Sequence, residues 1–149
     1  PEGDGRAECG FLAGCARIHA PVPEKYRKMF GIGDAALFPG AGPRDFAFFS
    51  RFVVAAAFRG RNGATDSIYE RCYVQARRMG AKYLLLNCSP SLAMVYERKG
   101  WVRYRPTHWD EDMGMQLPMC LPMEDTAFLG TFGSFSILPP EMRTEPPVD

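Results

Sequence analysis

Residues 51–64, RFVVAAAFRGRNGA, constrain this chain more than any other stretch. An apolar run passes directly into a loop of glycine and arginine, and the spacing after it turns helical, with Ile68, Cys72, Ala76 and Met79 recurring three to four residues apart. A strand that enters a helix through such a loop presents free backbone N–H groups and the positive end of the helix dipole to one point in space. A diphosphate fits there, with Arg59 and Arg61 to add charge-assisted hydrogen bonds and Thr65 a hydroxyl. The same residues serve equally as a solvated turn with capping duty, so the loop alone leaves both readings open. Two phosphate templates do not apply. A Walker loop needs lysine and then serine or threonine after its last glycine, where this chain has Ala64-Thr65, and Gly60 with Gly63 do not supply GxGxxG spacing.

Around this stretch the pattern alternates. Residues 10–20 (GFLAGCARIHA) read as a strand ending at Pro21, and residues 45–57 (DFAFFSRFVVAAA) as a second, apolar enough to be covered on both faces. Between them lies a loop broken by prolines and glycines, with one helical turn over residues 26–30. A helix is expected over residues 62–79, with Ser67 and Glu70 as a capping box and Gly80 as its terminator. Residues 82–87 (KYLLLN) read as a buried strand. Ser89-Pro90 opens a further helix whose apolar face is Leu92, Val95 and Tyr96 and which Gly100 closes. Residues 101–104 and 115–123 complete the strands, the last interrupted by Pro118 and Pro122 and so expected to be irregular or at an edge. Strand, helix, strand, helix, strand is an α/β order.

A chain of 149 residues, 46% of them hydrophobic, suits one domain with a real core. We assign residues 1–138 to that domain and residues 139–149 to a polar, proline-rich tail. The formal net charge of +1 exerts no general pull on nucleic acid. Cys9, Cys15, Cys72, Cys88 and Cys120 are odd in number and widely spaced, which reads as reduced thiols in a cytoplasmic protein rather than a disulfide framework or zinc site. No apolar run is long enough for stable membrane insertion. Asp110, Glu111 and Asp112 read as a solvated turn, with no histidine at metal-ligand spacing.

The loop from Arg59 to Ala64 resembles the acyl-coenzyme A loop of the GCN5-related N-acetyltransferase superfamily, Gln/Arg-x-x-Gly-x-Gly/Ala. Arg59 takes its first position and Ala64 its last; Asn62 stands where the middle glycine belongs, beside Gly63. Downstream, Asn87, Tyr96 and Gly100-Trp101 follow in NCSPSLAMVYERKGW at the spacing of the superfamily's second block. The first third, with GCARIHAP, YRKMF and FSRFVV, is similar to the long-chain N-acyl amino acid synthases and acyl-homoserine-lactone synthases. The lactone synthases carry an acidic residue before the Ser-Arg pair where this chain has Phe48-Phe49, so the N-acyl amino acid type fits better.

This resemblance implies a mixed central sheet flanked by helices, in which elements that open the fold in these families have no counterpart here. The chain then reads as the C-terminal part of a longer protein or as one with a divergent beginning. It implies an N-acyltransferase with acyl-CoA or an acyl carrier protein as donor, a small-molecule amine as acceptor, and no metal. Backbone groups at Val53, Val54 and Ala55 would meet the pantetheine arm, and Arg59, Gly60, Arg61, Asn62, Gly63, Ala64 and Thr65 the phosphates. Tyr96 would protonate the leaving thiolate, with Asn87 in the same catalytic block. Arg17 and Arg51 match the families' paired arginines. Arg51, set in an apolar strand, needs either an internal carboxylate or that of an amino acid acceptor. His19 reads as structural or as a base, and the phenylalanines at 46, 48, 49 and 52 as core or as an acyl pocket. Two other readings stay open: an ordinary acetyl-CoA-dependent N-acetyltransferase and a non-catalytic acyl-CoA-binding regulatory module.

Overall fold

The computed structural model describes residues 12–60 and 63–132. Its strands are β1 (Gly14–His19), β2 (Phe46–Val54), β3 (Tyr83–Cys88), β4 (Val102–Arg103), β5 (His108–Asp110) and β6 (Gly114–Pro122). The helices are α1 (Glu24–Phe30), α2 (Ala64–Arg78), α3 (Ala93–Glu97) and α4 (Thr126–Leu129). The strands form one mixed sheet in the order β1-β2-β3-β6-β4, with β5 also on β6. Only the β2–β3 pair is parallel, so the chain between them must cross over, and α2 is that crossover.

The central strands are apolar on both faces because both faces are covered. Phe46 and Phe48 of β2, Leu85 of β3 and Cys120 of β6 pack on one side with Phe30 of α1 and Phe38 of the following loop. Ala47, Phe49, Leu84, Leu86, Met119 and Leu121 alternate to the other side, against Tyr69, Tyr73 and Ala76 of α2 and Trp101. The proline-broken loop is therefore a cover: Phe38 sets its ring 4.8 Å from that of Phe46 and 5.3 Å from that of Tyr104. Burying each such ring contributes about 1.5–3 kcal/mol.

Several expectations are corrected. β6 is neither irregular nor at an edge; it lies between β3 and the β4 and β5 strands. It tolerates Pro118 because β5 pairs with residues 114–116 and β4 with residues 119–120, so the proline falls where that flank has no partner. Helix α2 starts at Ala64 with Gly63 as N-cap and no side-chain cap, which leaves Ser67 inside the helix rather than in a capping box. Its other end is as expected: the amides of Gly80 and Ala81 return to the carbonyls of Arg77 and Ala76. Ser89 and Pro90 lead into a 3₁₀ turn before α3, which winds at about 3.0 instead of 3.6 residues per turn and moves the buried stripe. Ala93 is buried instead, while Leu92 and Val95 stay 47% and 49% exposed. The Asp110–Asp112 turn is present and joins β5 to β6, with the Asp110 carboxylate accepting from the amides of Asp112 and Met113 at 2.9 Å. Cys15, Cys72, Cys88 and Cys120 are free thiols; Cys9 and the tail at 139–149 lie outside the described residues.

Candidate functional site

The parallel register of β2 and β3 runs through Phe46 with Tyr83, Ala47 with Leu84 and Phe48 with Leu85, and stops there. β2 continues to Val54 and β3 to Cys88, so their C-terminal halves part and leave a gap in the middle of the sheet. On its other edge β2 stays paired with β1, but irregularly. Arg17 opposes Ser50 and Cys15 opposes Val53, so β2 spends one residue more than β1 over this interval. The surplus is a β-bulge in which Arg51 takes a positive φ of 53°. A non-glycine residue in this region costs about 1–2 kcal/mol, so the surrounding ladder holds it in place.

The bulge corrects the expectation that Arg51 is buried. Its side chain is exposed, as is that of Arg17 across the pair, and Arg51 makes no ion pair among the described residues. Both arginines line a cleft of about 750 Å³ with His19, Ser50, Asn87, Lys25, Tyr26, Asp110 and Asp112. The Asn87 side-chain nitrogen approaches the Met29 sulfur at 3.0 Å, whereas its Oδ1 is buried with no partner among the described residues. A buried, unpaired carbonyl costs about 1–3 kcal/mol unless a ligand donor meets it. Phe46, Phe48 and Phe49 are core residues, although Phe48 and Phe49 also contribute to the cleft wall.

Beyond Val54 the chain forms a short turn, Ala56–Phe58, and reaches α2 through Gly60 and Gly63, both with positive φ (66° and 64°). With no side chain at Gly63, the first amides of α2, those of Ala64 and Thr65 among them, have no side-chain cap among the described residues, the arrangement that favours an anion at a helix start. The Arg59 side chain folds back so that its Nε donates to the Val54 carbonyl at 2.8 Å. Ala55 donates its N–H to Ala13 at 2.7 Å, so strand alternation turns the backbone of Val54 away from β1, toward the gap. Val53 is on the β1 side of that alternation and exposes its side chain. Arg61 and Asn62 lie outside the described residues. In the first turn of α2, Asp66 pairs with Lys99 at 2.6 Å, which ties the end of α3 to this helix start and offsets the carboxylate charge.

Tyr96 does not line the cleft of Arg17 and Arg51. It packs edge-on to Trp101 with ring centroids 6.0 Å apart, and burial, with a smaller contribution from Cys88, raises its hydroxyl pKa. It is therefore a protonated phenol at neutral pH. Ser50, Lys25 and the two aspartates went unread as site residues because only the β1–β2 register, the placement of α1 and the β5–β6 turn bring them to the same cleft. Among the described residues no cluster of three histidine, cysteine or acidic side chains could hold a metal, and no helix is long and apolar enough to cross a membrane.

A sheet whose parallel neighbours part beside a bulge, with a glycine loop leading onto a helix start, defines the class. The fold is that of the GCN5-related N-acyltransferases. The N-acyl amino acid synthase FeeM from uncultured soil microbes superposes with a TM-score of 0.63 at 14% identity, over 77% of this chain and 65% of that one. A CoA-dependent acyl-homoserine lactone synthase, MesI, superposes at 0.57 and 16% identity, over 85% of this chain and 65% of that one. An acyl-CoA N-acyltransferase from Pseudomonas aeruginosa gives 0.53 at 21% identity, over 74% and 60%. This chain thus spans just under two thirds of the length of these proteins. No family model and no curated protein matches its sequence, so the likeness is one of fold.

Proposed function

We propose that this protein is an N-acyltransferase that moves an acyl group from a thioester, on coenzyme A or a carrier protein, to the amine of an amino acid or related small molecule. The observation that carries this reading is the gap between β2 and β3, which opens between a helix start and a cleft bearing two guanidiniums, the helix start without a side-chain cap and the guanidiniums without an ion pair among the described residues. The donor's phosphates would meet Arg59 and the amides at Gly60 to Thr65, with Arg61 and Asn62 completing the loop. The pantetheine arm would run along the freed edge of β2, where the Val54 N–H faces the gap.

Arg17 and Arg51 suit the acceptor's carboxylate, since two guanidiniums in one cleft form charge-assisted bonds with an anion. Asn87 lines the same cleft. The amine attacks the thioester carbonyl directly, its entropy cost met by binding both substrates in one complex. Tyr96, kept protonated by burial, delivers a proton to the departing sulfur. The names of FeeM, an N-acyl amino acid synthase, and MesI, a CoA-dependent acyl-homoserine lactone synthase, support an acyl thioester as the donor.

The test is to incubate the purified protein with acetyl-, hexanoyl- and hexadecanoyl-CoA and a panel of proteinogenic L-amino acids, and to read N-acyl products by mass spectrometry. Long-chain N-acyl amino acids support the proposal. Acetyl products alone mark an ordinary acetyltransferase, and donor binding without transfer marks a binding module.

A further inference from the structure

His19 ends β1 inside the cleft, opposite Phe48 in the register and beside Ser50. Its Nε2 lies 3.2 Å from the Ser50 hydroxyl, and its ring stacks on Phe48 with centroids 5.6 Å apart. The imidazole is thus held at two points, and Ser50 as well as His19 lines the cleft that Arg17 and Arg51 also line. An acceptor amine is protonated at neutral pH and has no lone pair until a base takes its proton. We propose that His19, acting through Ser50, accepts this proton. The assignment rests on the acyltransferase reading.

The step balances as follows. With its ring proton on Nδ1, His19 accepts the Ser50 hydroxyl proton at Nε2 while the Ser50 oxygen takes one proton from the acceptor ammonium. The freed nitrogen lone pair forms the N–C bond at the thioester carbonyl. Collapse of the tetrahedral adduct breaks the C–S bond, the sulfur leaves as a thiol with a proton from Tyr96, the product nitrogen gives up its extra proton to water, and Tyr96 is reprotonated from water. His19 releases its proton to water.

The surroundings suit a base. Burial and then the charges of Arg17 and Arg51 and of Lys25 on α1 lower the His19 pKa from 6.5. Asp110 and Asp112 of the β5–β6 turn and Tyr26 of α1 are the other titratable groups that line the cleft among the described residues. A lowered pKa keeps the ring neutral at pH 7, so the rate is lost only as pH falls below 6.5.

The experiment compares wild type, His19→Gln, Ser50→Ala and Ser50→Thr with decanoyl-CoA and two nucleophiles: the best amino acid of the panel, and hydroxylamine, which is largely unprotonated at neutral pH. Donor binding and melting temperature are measured alongside. For His19→Gln, transfer to the amino acid should fall about 100-fold or more, the acid limb of the pH profile should vanish, and transfer to hydroxylamine should persist. Ser50→Ala should show the same nucleophile dependence and Ser50→Thr should restore the amino acid rate. If His19→Gln fails to fold, the Ser50 pair decides by the same criterion. Equal losses with both nucleophiles, or no loss with either, overturn the assignment. A wild type that binds decanoyl-CoA but acylates neither nucleophile overturns the acyltransferase reading instead, and this assignment with it.

Discussion

The guanidinium of Arg59 donates to the carbonyl oxygen of Val54 at 2.8 Å, joining the glycine loop to the end of the strand from which it departs. The residue as a whole is exposed while this contact is part-buried, and it holds the arginine where the loop turns toward α2. Arg59→Ala should therefore raise KM for acyl-CoA about 10-fold, with the difference shrinking as salt is added, and change the melting temperature little. Steady-state kinetics at low and high ionic strength check this; an unchanged KM would remove Arg59 from the phosphate site.

Gly14 lies where β1 passes beneath α2. A Cβ at this position would meet the Val53 carbonyl oxygen at 2.5 Å and the Ile68 Cδ1 at 2.7 Å. The backbone oxygen cannot yield as a flexible side chain can. Gly14→Ala should destabilise the fold by about 1–3 kcal/mol, read as a lower midpoint in chemical denaturation.

Arg51 presents opposite effects in a single residue. Its φ of 53° suits glycine, so Arg51→Gly should relieve strain and stabilise by up to about 1 kcal/mol. The same change removes a guanidinium from the cleft and should raise acceptor KM about 10-fold or more. A variant that is both less stable and unimpaired toward the acceptor would contradict the account of the bulge.

Burial raises the pKa of Tyr69, Tyr73, Tyr96 and Tyr104. For an acid whose folded pKa lies above its unfolded value, the unfolded chain releases protons first as pH rises. The stability linked to these groups is thus complete below pH 10 and is lost as pH climbs from 10 toward the folded values. Denaturation series across this range should show a falling midpoint, while Tyr96→Phe should reduce kcat about 100-fold and leave donor affinity nearly intact.

Much of the fold could be read from residue order because its signals are local. Alternation and apolar runs marked β1, β2 and β3, glycine marked the end of α2, and the spacing of Asn87, Tyr96, Gly100 and Trp101 matched a known block. Two short elements were missed, β5 and α4, since three or four residues carry no period. Pro118 misled for a definable reason: proline disfavours a strand only where its missing N–H would find a partner, and pairing on the far side of β6 is interrupted there.

The site divides along the same line. Arg59 and Gly63 stand in one loop, so a phosphate-binding role for them can be proposed from the chain as written. That Arg51 is turned to solvent, that Asn87 keeps a carbonyl unpaired, and that His19 meets Ser50 all depend on the register of β1 with β2 and on where β2 parts from β3. Residue order determines how a segment folds on itself through neighbouring dihedrals and side-chain period. Which side chains share a cleft depends on strands 31 or more residues apart in sequence, as His19 and Ser50 are, and is settled only when the whole sheet assembles.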